Sequence, residues 1–214
     1  ALCPIVEAVP RSLDHDGNMR VAVRSIAGYL GTEVEISPFG DMRTVEPTKL
    51  VGASYEGNII DSNFWATASN GSAIVTQSLG RLNMSTGVTA GSSCSLQSVR
   101  YARYTGGSAN SFRGVSRFEA QTGSCIQRWG AFDTSSGYFF EVSNSLFSIG
   151  WRAAGVIGKV SNGAFNGENG TYYTFDNTAK SWEIYWTNKQ AWWVVEDTLL
   201  HNQVGVYTPL SDTE

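Results

Sequence analysis

The stretch Trp182-Glu-Ile-Tyr-Trp-Thr-Asn-Lys-Gln-Ala-Trp-Trp-Val-Val-Glu-Asp-Thr-Leu-Leu-His201 holds four of the seven tryptophans of this chain. Its pattern predicts a β-hairpin with a two-residue turn at Asn188-Lys189, because asparagine tolerates the positive φ that tight hairpin turns need. That turn places Thr187 opposite Gln190 and sets the pairing along both strands. The hairpin is therefore expected to decide the register of the surrounding sheet.

Period-two alternation sorts the hairpin into two faces of different character. The face on which large apolar side chains meet smaller ones is predicted to be core: Trp182, Ile184 and Trp186 opposite Val195, Trp193 and Ala191. The other face has Tyr185 opposite Trp192 among polar neighbours. Such a pair is typical of a sugar-stacking platform or a subunit contact, and it is equally consistent with two rings covered by another part of the chain.

Composition indicates a β-rich, loop-rich chain that binds neither nucleic acid nor membrane. Of its 214 residues only 16% are charged, against about 25% in an average protein, and 23 are glycine. The net charge of −4 and the absence of any lysine or arginine run exclude a footprint for nucleic-acid phosphates. No apolar stretch approaches the roughly 20 residues that a membrane-spanning helix needs.

The three cysteines, Cys3, Cys94 and Cys125, lack the spacing of metal ligands. They are interpreted as reduced thiols of a protein assembled in a reducing compartment, with a Cys94–Cys125 disulfide as the alternative. The segment Asp14-His-Asp-Gly-Asn18 resembles part of a calcium loop but lacks the distant glutamate, so an ordinary turn is favoured. We therefore predict no metal and no cofactor.

Strand-like runs separated by turn residues recur from about residue 50 onward, and no run with helical periodicity is long enough to demand a helix. They include Lys49–Ser54 and Thr171–Asp176, and Asn70-Gly71 is interpreted as a hairpin turn between two others. A further hairpin is predicted over residues 138–151. About a dozen short strands indicate an all-β sandwich or barrel. Residues 1–47, with four of the five prolines and one strand candidate, Met19–Ile26, are predicted to form an extended N-terminal arm.

Part of this pattern resembles a known fold family. Gly137-Tyr-Phe-Phe-Glu141 followed by Trp182-Glu-Ile-Tyr-Trp186 and Trp193-Val-Val-Glu-Asp197 resembles the concanavalin A-like jelly roll of laminin-G and legume-lectin domains. The resemblance implies a jelly-roll β-sandwich over residues 48–214, preceded by the arm at 1–47. Because Ser211-Asp-Thr-Glu214 looks like the middle of a loop, the sandwich is expected to continue past Glu214.

A narrower resemblance covers most of the chain from Ser37 onward. The blocks that carry it are Pro38-Phe-Gly-Asp-Met-Arg43, Asp61-Ser-Asn-Phe-Trp65, Ser98-Val-Arg-Tyr-Ala-Arg103, Tyr104-Thr-Gly-Gly-Ser108, Phe112-Arg-Gly114, Arg128-Trp-Gly-Ala-Phe-Asp133, Gly137-Tyr-Phe-Phe-Glu141, Phe165-Asn-Gly167 and Leu199-Leu-His201. Taken in order, they are similar to a group of tailed-bacteriophage virion proteins. The resemblance implies a non-enzymatic structural protein of the tail, fibre or capsid, assembled in the bacterial cytoplasm and located in the virion. Its expected partners are other virion proteins, copies of itself and host-surface glycans.

No catalytic residues are predicted. Hydrolases on jelly-roll folds carry a Glu-x-Asp-x-Glu strand, and this chain has none. Glu183 and Glu196 are expected to be solvated charges at the rim of the hairpin, and His201 is expected to cap a strand. A carbohydrate-active hydrolase is the alternative function and requires two carboxylates about 5 to 10 Å apart. A purely architectural protein that cements subunits is the other alternative.

Two loops are predicted to line a glycan or partner site together with Tyr185 and Trp192. Residues 133–137 and 162–170 combine short polar side chains with glycines that allow close approach to the backbone. The candidates in these loops are Asp133, Asn166, Glu168 and Asn169. Ordinary surface turns would have the same composition, so both interpretations remain open at this stage.

Overall fold

The computed structural model describes residues 9–13, 19–22, 49–101, 109–119, 121, 124–168, 170–187 and 189–205. Every regular element in these ranges is a β-strand, and all strand pairs are antiparallel. The predicted all-β class is therefore confirmed. None of the described residues belongs to a helix that could cross a membrane. The chain divides into two compact units, residues 1–102 and 103–214.

Among the described residues of the first unit there are three separate two-stranded ladders, β1 with β2, β3 with β6, and β4 with β5. Its strands are β1 (Val9–Leu13), β2 (Met19–Ala22), β3 (Trp65–Asn70), β4 (Ile74–Ser78), β5 (Arg81–Ser85) and β6 (Ser93–Ser98). Asn70-Gly71 leads from β3 into β4, which do not pair, so the predicted hairpin at this turn is wrong. The physical reason lies beside the turn, where the Ser72 amide donates to Ser92 Oγ next to β6.

The strands described in the second unit form two four-stranded sheets with the orders β11-β10-β9-β8 and β14-β13-β12-β7. Its strands are β7 (Asn110–Ser116), β8 (Ile126–Phe132), β9 (Gly137–Ser143), β10 (Leu146–Ala153), β11 (Val156–Ser161), β12 (Lys180–Trp186), β13 (Gln190–Val195) and β14 (Thr198–Val204). The predicted strands at 49–54 and 171–176 are not strands, whereas β14 was not predicted.

The predicted register of the tryptophan hairpin is confirmed. Trp182 lies opposite Val195 and Trp186 lies opposite Ala191, and the Thr187 amide donates to the Gln190 carbonyl. Asn188 lies outside the described residues, so its turn geometry stays a prediction. All six side chains predicted for the core face are buried.

One aromatic core fills the space between the two sheets. Its buried residues come from both sheets and from the loop before β12: Tyr138, Phe140, Val142, Phe147, Ile149, Phe165, Trp182, Ile184, Trp186, Ala191, Trp193, Val195 and Leu200. Trp182 is central, with its ring centroid 5.0 Å from that of Trp129 and 5.1 Å from that of Phe140. Trp193 Nε1 donates to the Phe139 carbonyl at 3.2 Å and ties the two sheets together. The unit is thus a β-sandwich-like arrangement whose interior matches the alternation in the sequence.

The second predicted hairpin, β9–β10, turns on two residues. Ser143 pairs with Leu146, and between them Asn144 and Ser145 have φ values of 51° and 64°. Positive φ at both central positions is the geometry that matches the right-handed twist of the flanking strands. A favourable local turn therefore joins the two strands that supply five residues of the core.

Residues 49–101, the part of the first unit for which burial is described, bury very little surface. Within residues 49–101 only Ala73 and Gln77 are buried. Large apolar side chains are exposed instead: Leu50, Ile59, Phe64, Ile74, Leu79, Met84, Val88, Val99 and Tyr101. This segment has ordered strand pairs but almost no core.

Candidate functional site

Tyr185 and Trp192 lie side by side on the outer face of the β12–β13 pair, as the register predicts. Trp192 is only 4% exposed and Tyr185 is half-buried. The Tyr185 hydroxyl donates to a carboxylate oxygen of Glu183. Burial, reinforced by that carboxylate, raises the pKa of Tyr185 to about 12. The pair therefore offers a ligand little of the indole surface, and its binding role stays a prediction.

Glu183 is buried, so the prediction that it is a solvated rim charge is wrong. The reason is β7, which pairs with β12 and places Arg113 directly opposite Glu183. Arg113 Nε lies 2.7 Å from Glu183 Oε1, an ion-pair distance without hydrogen-bond alignment. Glu196, in contrast, is exposed as predicted, and its carboxylate accepts a hydrogen bond from the Ser181 amide.

Glu141 is a second buried carboxylate, on the outer face of the other sheet, and it is 1% exposed. Arg128 Nε and Lys159 Nζ each lie 2.5 Å from one of its oxygens. Burial alone raises the pKa of Glu141, but the hydrogen bonds and charges of Lys159 and Arg128 outweigh it and hold the pKa below the usual range. The group is therefore an ionised, fully paired carboxylate at neutral pH.

The two buried glutamates do not form a catalytic pair. Glu141 belongs to β9 and Glu183 to β12, and the two side chains lie on the outer faces of different sheets with the aromatic core between them. Glycoside hydrolysis needs two carboxyl groups that face one cleft. Each carboxylate is engaged by cationic or hydroxyl groups of its own sheet, which suits a structural ion pair better than proton transfer.

Asp133 sits in the turn between β8 and β9, where its side chain is committed to the backbone. Its carboxylate accepts hydrogen bonds from the amides of Ser135 and Ser136, both at 2.7 Å. Arg152 Nη1 donates to the Asp133 carbonyl at 2.5 Å. These contacts are those of a tight Asx turn and explain the polar sequence of this loop without a ligand.

Asn166 and Glu168 belong to the loop between β11 and β12, and both form hydrogen bonds with β14. The Asn166 amide group donates to the Asn202 carbonyl at 2.9 Å and accepts from the Asn202 amide at 2.8 Å. The Glu168 amide donates to the Leu199 carbonyl, while its side chain is exposed. Asn169 lies outside the described residues. Asp133 thus bonds within its own turn and to Arg152 in β10, whereas Asn166 bonds to β14. Their assignment to one site stays a prediction.

His201 does not cap a strand, because it lies inside β14 and is buried. Its ring contacts those of Trp193 and Phe165, with centroids 6.1 and 6.2 Å away, and Nδ1 has no hydrogen-bond partner in the described structure. Burial lowers the pKa of His201, although a hydrogen bond with Gln203 partly opposes this shift. The neutral imidazole is therefore the form that the fold prefers.

We expect the second unit to lose stability as the pH falls below about 6.5, because His201 binds a proton more readily in the unfolded chain than in the folded one. The loss from one such group is at most about 1.4 kcal/mol for each pH unit. Urea denaturation of the wild type and of His201→Leu between pH 7.5 and 5.5 measures it. The variant should have a flatter pH profile, and equal slopes in the two proteins would contradict the expectation.

Comparisons of the chain with protein-family models, curated proteins and solved structures each found no match. Within the described ranges, no cluster of three or more histidine, cysteine or acidic side chains is placed to hold a metal ion. Sequence reasoning missed the ion-pair network of Arg128, Glu141 and Lys159, because these residues come together only when the four strands from β8 to β11 form one sheet. It also missed a concave region in the first unit, which is described below.

Proposed function

We propose that this chain is a non-enzymatic structural protein of a bacteriophage particle that works in repeated copies. The proposal is carried by the apolar surface of the first unit. Nine large apolar residues are exposed there, with Leu79 at 91% and Val88 at its full extended-chain exposure. So many exposed large apolar side chains in residues 49–101, where only Ala73 and Gln77 are buried, favour cover by another protein.

Open strand edges support the same conclusion. Each of β3, β4, β5 and β6 has only one partner among the described strands, so each leaves one edge of backbone donors and acceptors for a further strand. Two-stranded ladders are marginal by themselves, and exposed edges attract other chains. A second copy supplies both the apolar cover and the missing strands, and we propose that contacts between copies complete the core of this unit.

For the second unit we propose a concanavalin A-like jelly roll. In favour of this fold, the chain leaves β7, builds the β8–β11 sheet and returns to place β12 beside β7, a long connection of the Greek-key kind. The paired carboxylates of Glu141 and Glu183 favour a framework over a hydrolase. The burial of Trp192 favours an architectural role for this face over a sugar platform.

The bacteriophage setting is supported by the nine sequence blocks between Pro38 and His201 that resemble tailed-phage virion proteins. It is tested by immunogold electron microscopy and mass spectrometry of purified particles. We expect the chain at the particle surface in many copies. Its presence only in the particle-free fraction would contradict the proposal.

Self-association is tested by sedimentation of the full chain at micromolar concentration. We expect oligomers that dissociate at least about tenfold more readily when Leu79 and Val88 are both changed to aspartate, because each charge is buried against apolar surface. The matched control carries the same two changes at Leu146 and Val156, which are 73% and 71% exposed and lie in the second unit. A monomeric wild type, or equal dissociation by both double variants, would refute this assembly.

A further inference from the structure

A cavity of about 250 Å³ lies within the first unit, between the loop that precedes β3 and strand β4. None of the residues predicted from the sequence as a binding site lines it. Its wall combines aromatic rings with charged groups of both signs: Tyr55, Phe64, Trp65, Glu56, Asp61 and Lys49. Aromatic rings beside groups able to donate or accept hydrogen bonds suit an amphipathic ligand.

The aromatic part of the wall is partly open to solvent. Tyr55 and Trp65 are half-buried, and their ring centroids are 5.9 Å apart at an interplanar angle of 37°. Phe64 is 43% exposed, and the guanidinium of Arg100 lies 5.0 Å from the centre of its ring. The rings therefore present apolar faces at the surface of the cavity and do not close into a core.

The loop that carries these groups is held in place before any ligand arrives. Gln77 Nε2 donates to the Glu56 carbonyl at 2.8 Å, and the Leu79 amide donates to Asn58 Oδ1 at 3.2 Å. Tyr55 has φ of 54°, a left-handed conformation that is strained for a bulky side chain and persists only where its surroundings enforce it. A preformed wall lowers the entropic cost of binding.

A turn at Asp61 fixes the second side of the cavity. The Asp61 carbonyl accepts hydrogen bonds from the amides of Phe64 and Trp65, and Asp61 Oδ1 accepts from the Asn63 amide. Trp65 Nε1 is buried and has no acceptor in the described structure. Aromatic faces and carboxylate oxygens are therefore brought to one place by local hydrogen bonds.

We propose that this cavity binds one pyranose ring of a neutral sugar. A pyranose has an apolar C–H face, which fits the rings of Tyr55 and Trp65, and a rim of hydroxyls, which can donate to the carboxylates of Glu56 and Asp61. A phosphate, sulfate or acidic sugar would be repelled by the carboxylates of Glu56 and Asp61 in the wall. The volume lies just below the ~300 Å³ at which drug-sized pockets begin, so it accommodates one ring and not a longer chain.

The site belongs to a single chain and does not depend on the assembly proposed above. Of the nine large apolar residues exposed in this unit, Ile59 and Phe64 line the cavity. The other seven remain available for contacts between copies. If copies do assemble, sites of low individual affinity act together through multivalency.

Saturation-transfer NMR on the full chain tests the proposal with methyl glucopyranoside, methyl galactopyranoside and N-acetylglucosamine as neutral probes, and with glucose 6-phosphate and N-acetylneuraminic acid as anionic ones. We expect transfer to at least one neutral probe, with an affinity in the millimolar range. Ala53→Trp fills the cavity from an exposed position and should weaken binding at least about tenfold. Ala90→Trp makes the same change at an exposed position away from the cavity and should leave binding unchanged.

Glu56→Gln is a second variant that leaves the packing intact, since this exposed side chain bonds only to Ser54 in the described structure. It should weaken binding about fivefold by removing a charged acceptor. If circular dichroism shows that Ala53→Trp does not fold, Glu56→Gln is the variant that tests the proposed site. The proposal is overturned if no neutral probe shows transfer, if only the anionic probes do, or if folded Ala53→Trp binds like the wild type.

Discussion

Replacing Trp182 with alanine is expected to remove about 3–5 kcal/mol of unfolding free energy from the second unit. This is a large share of the 5–15 kcal/mol that a domain usually has. The reason is the position of the indole between the sheets, where its ring contacts six others: Phe118, Trp129, Phe140, Phe147, Tyr173 and Phe175. Alanine leaves a cavity that the surrounding rings, from the opposite sheet and from residues outside the strands, cannot all close at once.

Urea denaturation followed by near-ultraviolet circular dichroism measures this loss, because the signal reports the packing of the aromatic core. Tyr172→Ala is the matched control, since Tyr172 is aromatic, lies in the same unit and is 72% exposed. Its effect should stay within about 0.5 kcal/mol. A comparable loss in both variants would show that Trp182 is not the centre of the core.

The second large effect is expected when both cations that hold Glu141 are removed. Arg128→Met with Lys159→Met leaves a carboxylate that is 1% exposed without a counter-charge. Leaving one member of a buried ion pair uncompensated costs about 3–5 kcal/mol. Adding Glu141→Gln should restore most of that loss, because the amide carries no charge to compensate. A triple variant no more stable than the double would contradict this account.

The pH dependence of the double variant should differ in sign from that of the wild type. In the wild type the pKa of Glu141 lies below its unfolded value, so its contribution is present at neutral pH and is lost as pH falls below about 4.5. In the double variant burial acts alone and raises that pKa, so acid relieves the penalty. The difference in unfolding free energy between the two proteins should therefore shrink from pH 7 to pH 4. Arg117→Met is the control, because Arg117 and Glu119 form an exposed pair that adds little.

Much of the second unit could be predicted from its sequence because the large apolar side chains of its hairpin strands alternate regularly. Alternation in Trp182–Trp186 gave the buried face and the register of the hairpin, and both are confirmed. β14 was missed because it carries a bulge: Trp193 and Val194 pair with His201 and Leu199, so Leu200 is an extra residue that breaks the alternation of the strand. Where a bulge interrupts the alternation of side chains, the sequence of the strand does not indicate it, and only its pairing with a neighbouring strand shows it.

The first unit and the charged contacts could not be predicted for a different reason. β3 and β6 contain mostly small polar residues, so nothing in the sequence indicates that they pair with each other across 22 intervening residues. The burial of Glu183 depends on Arg113, which is distant in sequence and becomes its neighbour only when β7 joins β12. Pairing between distant strands is a property of the whole fold, and single-strand patterns do not contain it.

The two buried glutamates also favour the correct alignment of the strands in each sheet. A strand that slips by one residue turns every side chain to the opposite face. If β9 slipped in this way, Glu141 would enter the aromatic interior while Phe140 would face its cations, and a slip of β12 would do the same to Glu183 and Ile184. Each misaligned sheet would bury an unpaired charge, at a cost of several kcal/mol. The two ion-pair sites, one in each sheet, therefore disfavour one-residue slips of β9 and β12.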